Sequence, residues 1–91
     1  MNIDFDKIIS IYGTECVQVL MDNMENVSLN TGYLYDLGFD DVQDILERFS
    51  FLFIKSNNEF INIFSELFNI YGDNFVALIE ENLEILEKYN N

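Results

Sequence analysis

The chain has 91 residues, seventeen of them Asp or Glu and four Lys or Arg, for a formal charge of −13 at pH 7. Its apolar share of 49 %, with nine Phe, is too high for a disordered acidic tail and sufficient for the core of one small acidic helical domain over residues 1–91. Such a charge repels nucleic acid and anionic membrane, which excludes direct binding to either and leaves basic protein surfaces as the natural partners.

The apolar spacing is helical nearly throughout. A first helix is expected over Asp4–Tyr12, with Phe5, Ile8, Ile9 and Tyr12 on one face and Gly13 as its stop. Thr14 is the expected cap of a second helix, which turns Val17, Leu20, Met24 and Val27 inward. A third is expected from Leu29 to Leu37, ending at Gly38, and a fourth from Asp40 to Phe49 with Val42, Ile45 and Leu46 inward. Ser56 and Glu59 form a capping-box pattern before a fifth helix that carries Phe60, Ile63, Phe64, Leu67 and Phe68 and stops at Gly72. The sixth is expected to run unbroken from Asp73 to Tyr89.

Three of these stops share one pattern. Aligning Gly13, Gly38 and Gly72 brings Val17, Val42 and Val76 into register, then Leu20, Ile45 and Ile79, then Met24, Phe49 and Leu83, then Val27, Leu52 and Leu86. Ile-Tyr-Gly even recurs at 11–13 and 70–72. The expected fold is therefore all-α: a compact bundle or short solenoid of about six short helices, arranged as three helix–Gly–helix hairpins. No hairpin of this kind can bury its apolar face alone, so each must cover its neighbour.

The stretch Leu37-Gly38-Phe39-Asp40-Asp41-Val42-Gln43-Asp44-Ile45-Leu46-Glu47-Arg48-Phe49-Ser50-Phe51-Leu52-Phe53 resembles one mTERF repeat, in which a Leu-Gly turn precedes a short helix and a Pro-containing turn. Phe64 to Gly72 resembles the longer helix that leads into the next repeat, so the likeness covers residues 37–72. It implies the helical architecture and nothing about a ligand. Ser50 stands where that family prefers Pro, and that family binds nucleic acid through a basic groove whereas the charge here is of opposite sign.

Catalytic machinery is sparse. The chain has no His, hence no imidazole base and no His-centred triad or metal site. Cys16 falls on the apolar side of its helix beside Val17 and Leu20, which suits an inert thiol. Asp36, Asp40, Asp41 and Asp44 gather around Gly38 without the alternating spacing of a calcium loop. The protein is thus expected to be no enzyme and to need no cofactor or metal. A lone cysteine allows no internal disulfide and suits a reducing cytoplasm. The first ten residues, with Asp4 and Asp6, lack the pattern of a signal peptide, and no apolar run is long enough to span a bilayer.

The acids are spread along the chain, with no base between Lys7 and Arg48 or between Lys55 and Lys88. A solvated helix face ordinarily mixes Lys with Glu, because like charges at i and i+4 cost stability. The single-sign faces here carry the expected partner site: Tyr35, Asp36, Phe39, Asp40, Asp41 and Asp44 as an aromatic–acidic patch around Gly38, and Glu80, Glu84 and Glu87 on the last helix. Asn23 and Asn82 occupy matching places in the repeat, amid apolar neighbours, and are expected to bond a neighbouring helix end; Arg48 holds the same place after Gly38. By charge and size the chain is similar to small anti-CRISPR and anti-restriction inhibitors of phages and mobile elements. Its expected function is to occupy a basic nucleic-acid-binding surface of a partner, a nuclease being one candidate. The alternative is a structural or adaptor module, a homodimer among its forms, with no mimicry.

Overall fold

The computed structural model describes residues 3–90; Met1, Asn2 and Asn91 lie outside them. Seven α-helices follow one another: α1 Phe5–Tyr12, α2 Thr14–Asp22, α3 Met24–Leu37, α4 Val42–Arg48, α5 Ser50–Phe53, α6 Asn57–Tyr71 and α7 Phe75–Glu81. Two 3-10 segments, Gly72–Asn74 and Leu83–Tyr89, flank α7. No strand occurs among the described residues, so the fold is all-α as expected. The radius of gyration is 12.6 Å, close to the roughly 12 Å of a closed domain of this length. The hairpins therefore fold onto one another and do not extend as an open solenoid. The long α3 is the hub, touching α2, α4, α5 and α6.

The three aligned glycines are the ones whose backbone takes positive φ. Gly13 (φ 91°, ψ 172°) and Gly72 (φ 78°, ψ −159°) share a conformation that only glycine enters without strain. These are the two sites with the Ile-Tyr-Gly context. Gly38 differs: it is a left-handed cap on α3, with the Gly38 N–H donating to the Tyr35 carbonyl and the Phe39 N–H to the Leu34 carbonyl. That pair of bonds is a Schellman motif, in which the residue after the glycine packs back on the helix.

The aligned apolar rows supply much of the core. Leu20, Ile45 and Ile79 are at most 2 % exposed, and Val27, Leu52 and Leu86 are fully buried. Aromatic rings link the hairpins. A chain runs from Phe53 through Phe60, Phe64, Phe39 and Phe75 to Phe68, with successive ring centroids 4.9 to 6.5 Å apart.

Several boundaries depart from the sequence expectation. Thr14 is the first residue of α2 and makes no capping bond; Gly13 holds the cap position. The second helix ends at Asp22, and α3 begins at Met24 and runs unbroken to Leu37. Met24, expected inside, is 37 % exposed. The sixth helix is broken at Asn82 and finishes as a 3-10 segment. Ile9, Tyr12 and Phe68, also expected inside, are each more than a third exposed because they stand at the margins of their stripes. Ser56 does cap its helix, accepting from the Glu59 N–H at 3.3 Å.

Polar contacts fasten α1 to α4. The Asp4 N–H donates to Gln43 Oε1 at 3.1 Å and Gln43 Nε2 donates to the Asp4 carbonyl at 3.3 Å. Lys7 Nζ lies 3.2 Å from Oε2 of Glu47, whose side chain is only 4 % exposed. The hydrogen bond that Lys7 donates to Glu47, and then the charge of Glu47, holds Lys7 above the ordinary 10.5, with Asp41 and Asp44 adding to it and burial opposing it. A lysine raised on folding stabilises fully below its unfolded value, and that stabilisation is lost as pH climbs through the raised folded value. Lys7→Met should therefore melt below the wild type at about pH 8, because Glu47 is left buried without its cation. The gap should close as pH rises beyond 10.5. Melting both proteins by circular dichroism across that range checks it; a constant gap would exclude the ion pair as its source.

Candidate functional site: an acidic groove

Two elements distant in sequence build the site. Asp41 caps α4, its Oδ1 accepting from the Asp44 N–H at 3.0 Å, and this sets Asp44 in the first turn. One turn on, Arg48 Nε donates to Asp44 Oδ1 at 3.2 Å. The Asp40 N–H donates to Glu80 Oε2 at 2.9 Å, which ties the Gly38 turn to the end of α7. The acids of α4 are thereby set against those of the C-terminal segment.

The break at Asn82 completes the arrangement. A 3-10 helix has three residues per turn, so side chains three apart stand in one row. Leu83, Leu86 and Tyr89 make the row turned to the core, with Leu86 fully buried. Glu84 and Glu87 make an exposed row beside it. Between this row and α4 lies a hollow of about 430 Å³, lined by Asp44, Glu80, Glu81, Glu84 and Glu87 over a floor that includes Phe49 and Leu83. It adjoins a smaller hollow of about 180 Å³ lined by Asp41, Asp44 and Glu80. Arg48, already bonded to Asp44, is the one base along either hollow.

Five of the expected residues thus come together here: Asp41, Asp44, Glu80, Glu84 and Glu87. Asp40 joins through its backbone bond to Glu80. Tyr35, 45 % exposed, and the exposed Asp36 lie on the last turn of α3, outside both linings. Phe39 requires correction. It is 2 % exposed and packs edge-on against Phe64 and Phe75, so it belongs to the core and presents no surface to a partner. Its place after the cap glycine of a Schellman motif is the physical reason. Glu81 lines the groove and was not among the expected residues; it shares the acidic arc of Glu80 and Glu84, and that arc was the signal for it.

The remaining candidates have structural roles. Asn23 Nδ2 donates to the Val19 carbonyl of its own helix at 2.9 Å, and Asn82 is exposed at the end of α7. Neither reaches a neighbouring helix end; both mark helix breaks. Cys16 is half-buried with Sγ 3.4 Å from Ser50 Oγ, which itself donates to the Leu46 carbonyl. Among the described residues no three acidic or thiol side chains gather closely enough to hold a metal ion, and no helix is long and apolar enough to cross a membrane. No protein-family model matches the chain, and no match was found among curated proteins or solved structures.

Proposed function

We propose that the protein is an acidic binding module of the cytoplasm that occupies a basic, nucleic-acid-binding surface of another protein, as an inhibitor in the manner of anti-CRISPR and anti-restriction mimics and without catalysis. The observation that carries this reading is the groove. Six carboxylates from α4 and its cap, α7 and the C-terminal segment line two adjoining hollows with one guanidinium, already engaged. Duplex DNA presents one negative charge per roughly 1.7 Å of axis, and a surface that holds DNA is built to neutralise such a field. A compact body with convergent carboxylates competes for the same cations and is steered to them at long range.

The test separates groove charge from total charge. Glu81, Glu84 and Glu87 are exposed, and no hydrogen bond holds their side chains among the described residues, so Glu81→Gln, Glu84→Gln and Glu87→Gln together should leave the fold intact. A partner retained from lysate at low salt and released by a salt gradient would be titrated with both proteins between about 50 and 200 mM salt. The wild type should bind steeply salt-dependently and displace the partner's nucleic acid. The triple variant should bind about tenfold or more weakly with a shallower salt dependence. An affinity indifferent to salt would sink the reading. Ile11, Met21 and Phe51, each more than half exposed, favour the adaptor alternative; its mark would be a partner that stays bound at high salt through apolar contacts.

A further inference from the structure

The C-terminal 3-10 segment separates two hollows, one lined mainly by acids and the other by a mixture of apolar and charged side chains. One is the acidic groove. The other, about 500 Å³, lies between the end of α6 and the segment, with Leu67, Ile70, Tyr71 and Ile85 on its walls. Glu84 and Glu87 line both, so the two are contiguous across one row of carboxylates. Ile70 is 56 % exposed and Tyr71 38 %. Apolar area left in water beside a concavity of this size is what an inserted side chain would remove. Lys88 also lines this hollow, with its ammonium 5.0 Å from the Tyr89 ring centroid in a cation–π contact.

Resting on the acidic-face reading above, we propose that the partner's docking element is an amphipathic basic segment. Its apolar side chain enters the hollow walled by Leu67, Ile70, Tyr71 and Ile85, while adjacent Lys or Arg side chains meet Glu84, Glu87 and the acids beyond them. A purely basic surface would satisfy the groove and leave Ile70 and Tyr71 in water. A purely apolar one would desolvate Glu84 and Glu87 without replacing their hydration, which is costly for a carboxylate. A second copy of this chain would bring carboxylates against this rim at a charge of −13 on each molecule. The occupant that meets both demands carries apolar and cationic side chains on one face, as helices seated in grooves do.

Two labelled synthetic peptides of equal length and charge test this by fluorescence anisotropy at low salt. One places Lys and Leu at amphipathic helical spacing; the other replaces every Leu by Gln. The Lys/Leu peptide should bind about tenfold more tightly. Ile70→Ser, a change at an exposed position whose folding a melt would verify, should abolish that advantage and leave the Lys/Gln peptide unaffected. Glu84→Gln with Glu87→Gln should weaken both. If the two peptides bind alike and Ile70→Ser changes nothing, the amphipathic occupant is overturned while the acidic-face reading survives. If the Lys/Leu advantage persists in Ile70→Ser, the apolar contact lies elsewhere and this hollow is wrong. If neither peptide binds at low salt, both readings fall.

Discussion

Phe39→Ala should destabilise the protein by about 3–5 kcal/mol, the range for removing a buried aromatic side chain. Phe39 is 2 % exposed, and its ring is edge-on to Phe64 at 5.9 Å and to Phe75 at 6.5 Å. It links the end of α3 to α6 and α7, so the void would open where three elements meet and none can close it alone. Each aromatic pair adds about 0.5–1.5 kcal/mol beyond the buried area. Phe68→Ala is the comparison. Phe68 also pairs edge-on with Phe75, at 5.5 Å, but is 43 % exposed, and should cost less than half as much. Urea unfolding followed by circular dichroism measures both. Equal midpoints for the two variants would show that Phe39 is not the core residue described. With a total stability of about 5–15 kcal/mol for a small domain, Phe39→Ala brings the protein near its unfolding threshold. Lost binding in that variant would therefore report lost fold and could not distinguish an inhibitor from an adaptor.

The repeat was legible because it rests on glycine and on spacing. The three stops were assigned from Gly13, Gly38 and Gly72, and these are the positions with positive φ. The rows seven and fourteen residues beyond them are buried in every hairpin. The row eleven residues on is uneven: Met24 is exposed, Phe49 is buried and Leu83 is half-buried. The cause is a helix break at Asn23, at Phe49 and at Asn82, which removes the continuous helix that the spacing presumes. None of these residues is Gly or Pro, so no local stop marks them. The two Asn did stand out as polar residues amid apolar neighbours. Asn side chains compete for backbone hydrogen bonds, and Asn23 does so, with Nδ2 donating to the Val19 carbonyl of its own helix.

The candidate site was legible residue by residue and not as a place. The single-sign faces could be read along the chain. Their convergence depends on the Asn82 break, which changes the period from 3.6 to 3 and puts Glu84 and Glu87 in one row, and on the bond from the Asp40 N–H to Glu80 that sets α4 against α7. Both are tertiary facts. The placing of Phe39 on the surface failed for a different reason. Its aromatic character among the aspartates around Gly38 was read as part of a partner site, while the cap geometry that buries it is signalled by the Leu-Gly-Phe run.

Asn30→Ala is expected to cost about 2–4 kcal/mol although no apolar pattern points to Asn30. The buried stripe of α3 is Val27, Asn30, Thr31 and Leu34, four residues at helical spacing of which two are polar. Reading apolar residues alone leaves a gap there, and this is why a boundary was expected near Leu29 instead of at Asn23. Asn30 is fully buried, and its amide is used on both sides. Nδ2 donates to the carbonyls of Phe53 and Lys55, each at 2.9 Å, and Oδ1 accepts from Asn57 Nδ2 at 3.1 Å. One turn earlier, Asn26 Nδ2 donates to the Ile54 carbonyl at 3.3 Å. Three consecutive carbonyls at the end of α5, orphaned because the helix stops, are thus satisfied by two Asn four residues apart on α3. Alanine at 30 would leave two of them without that donor, at about 1–3 kcal/mol for each that water cannot reach. For a domain of this size the melting temperature should fall by about 10–25 °C. Asn57→Ala removes one bond at a half-buried position and should cost only about 1 kcal/mol. Asn30→Asp provides the sharper comparison, since a carboxylate keeps the shape of the amide but turns acceptors toward acceptors. It should be at least as damaging as Ala near neutral pH. If Asn30→Asp melts with the wild type, the two carbonyls do not depend on this amide, and α5 owes its position to the packing of Leu52 and Phe53 and to the bonds from Asn26 Nδ2 to the Ile54 carbonyl and from the Leu52 N–H to Asn90 Oδ1.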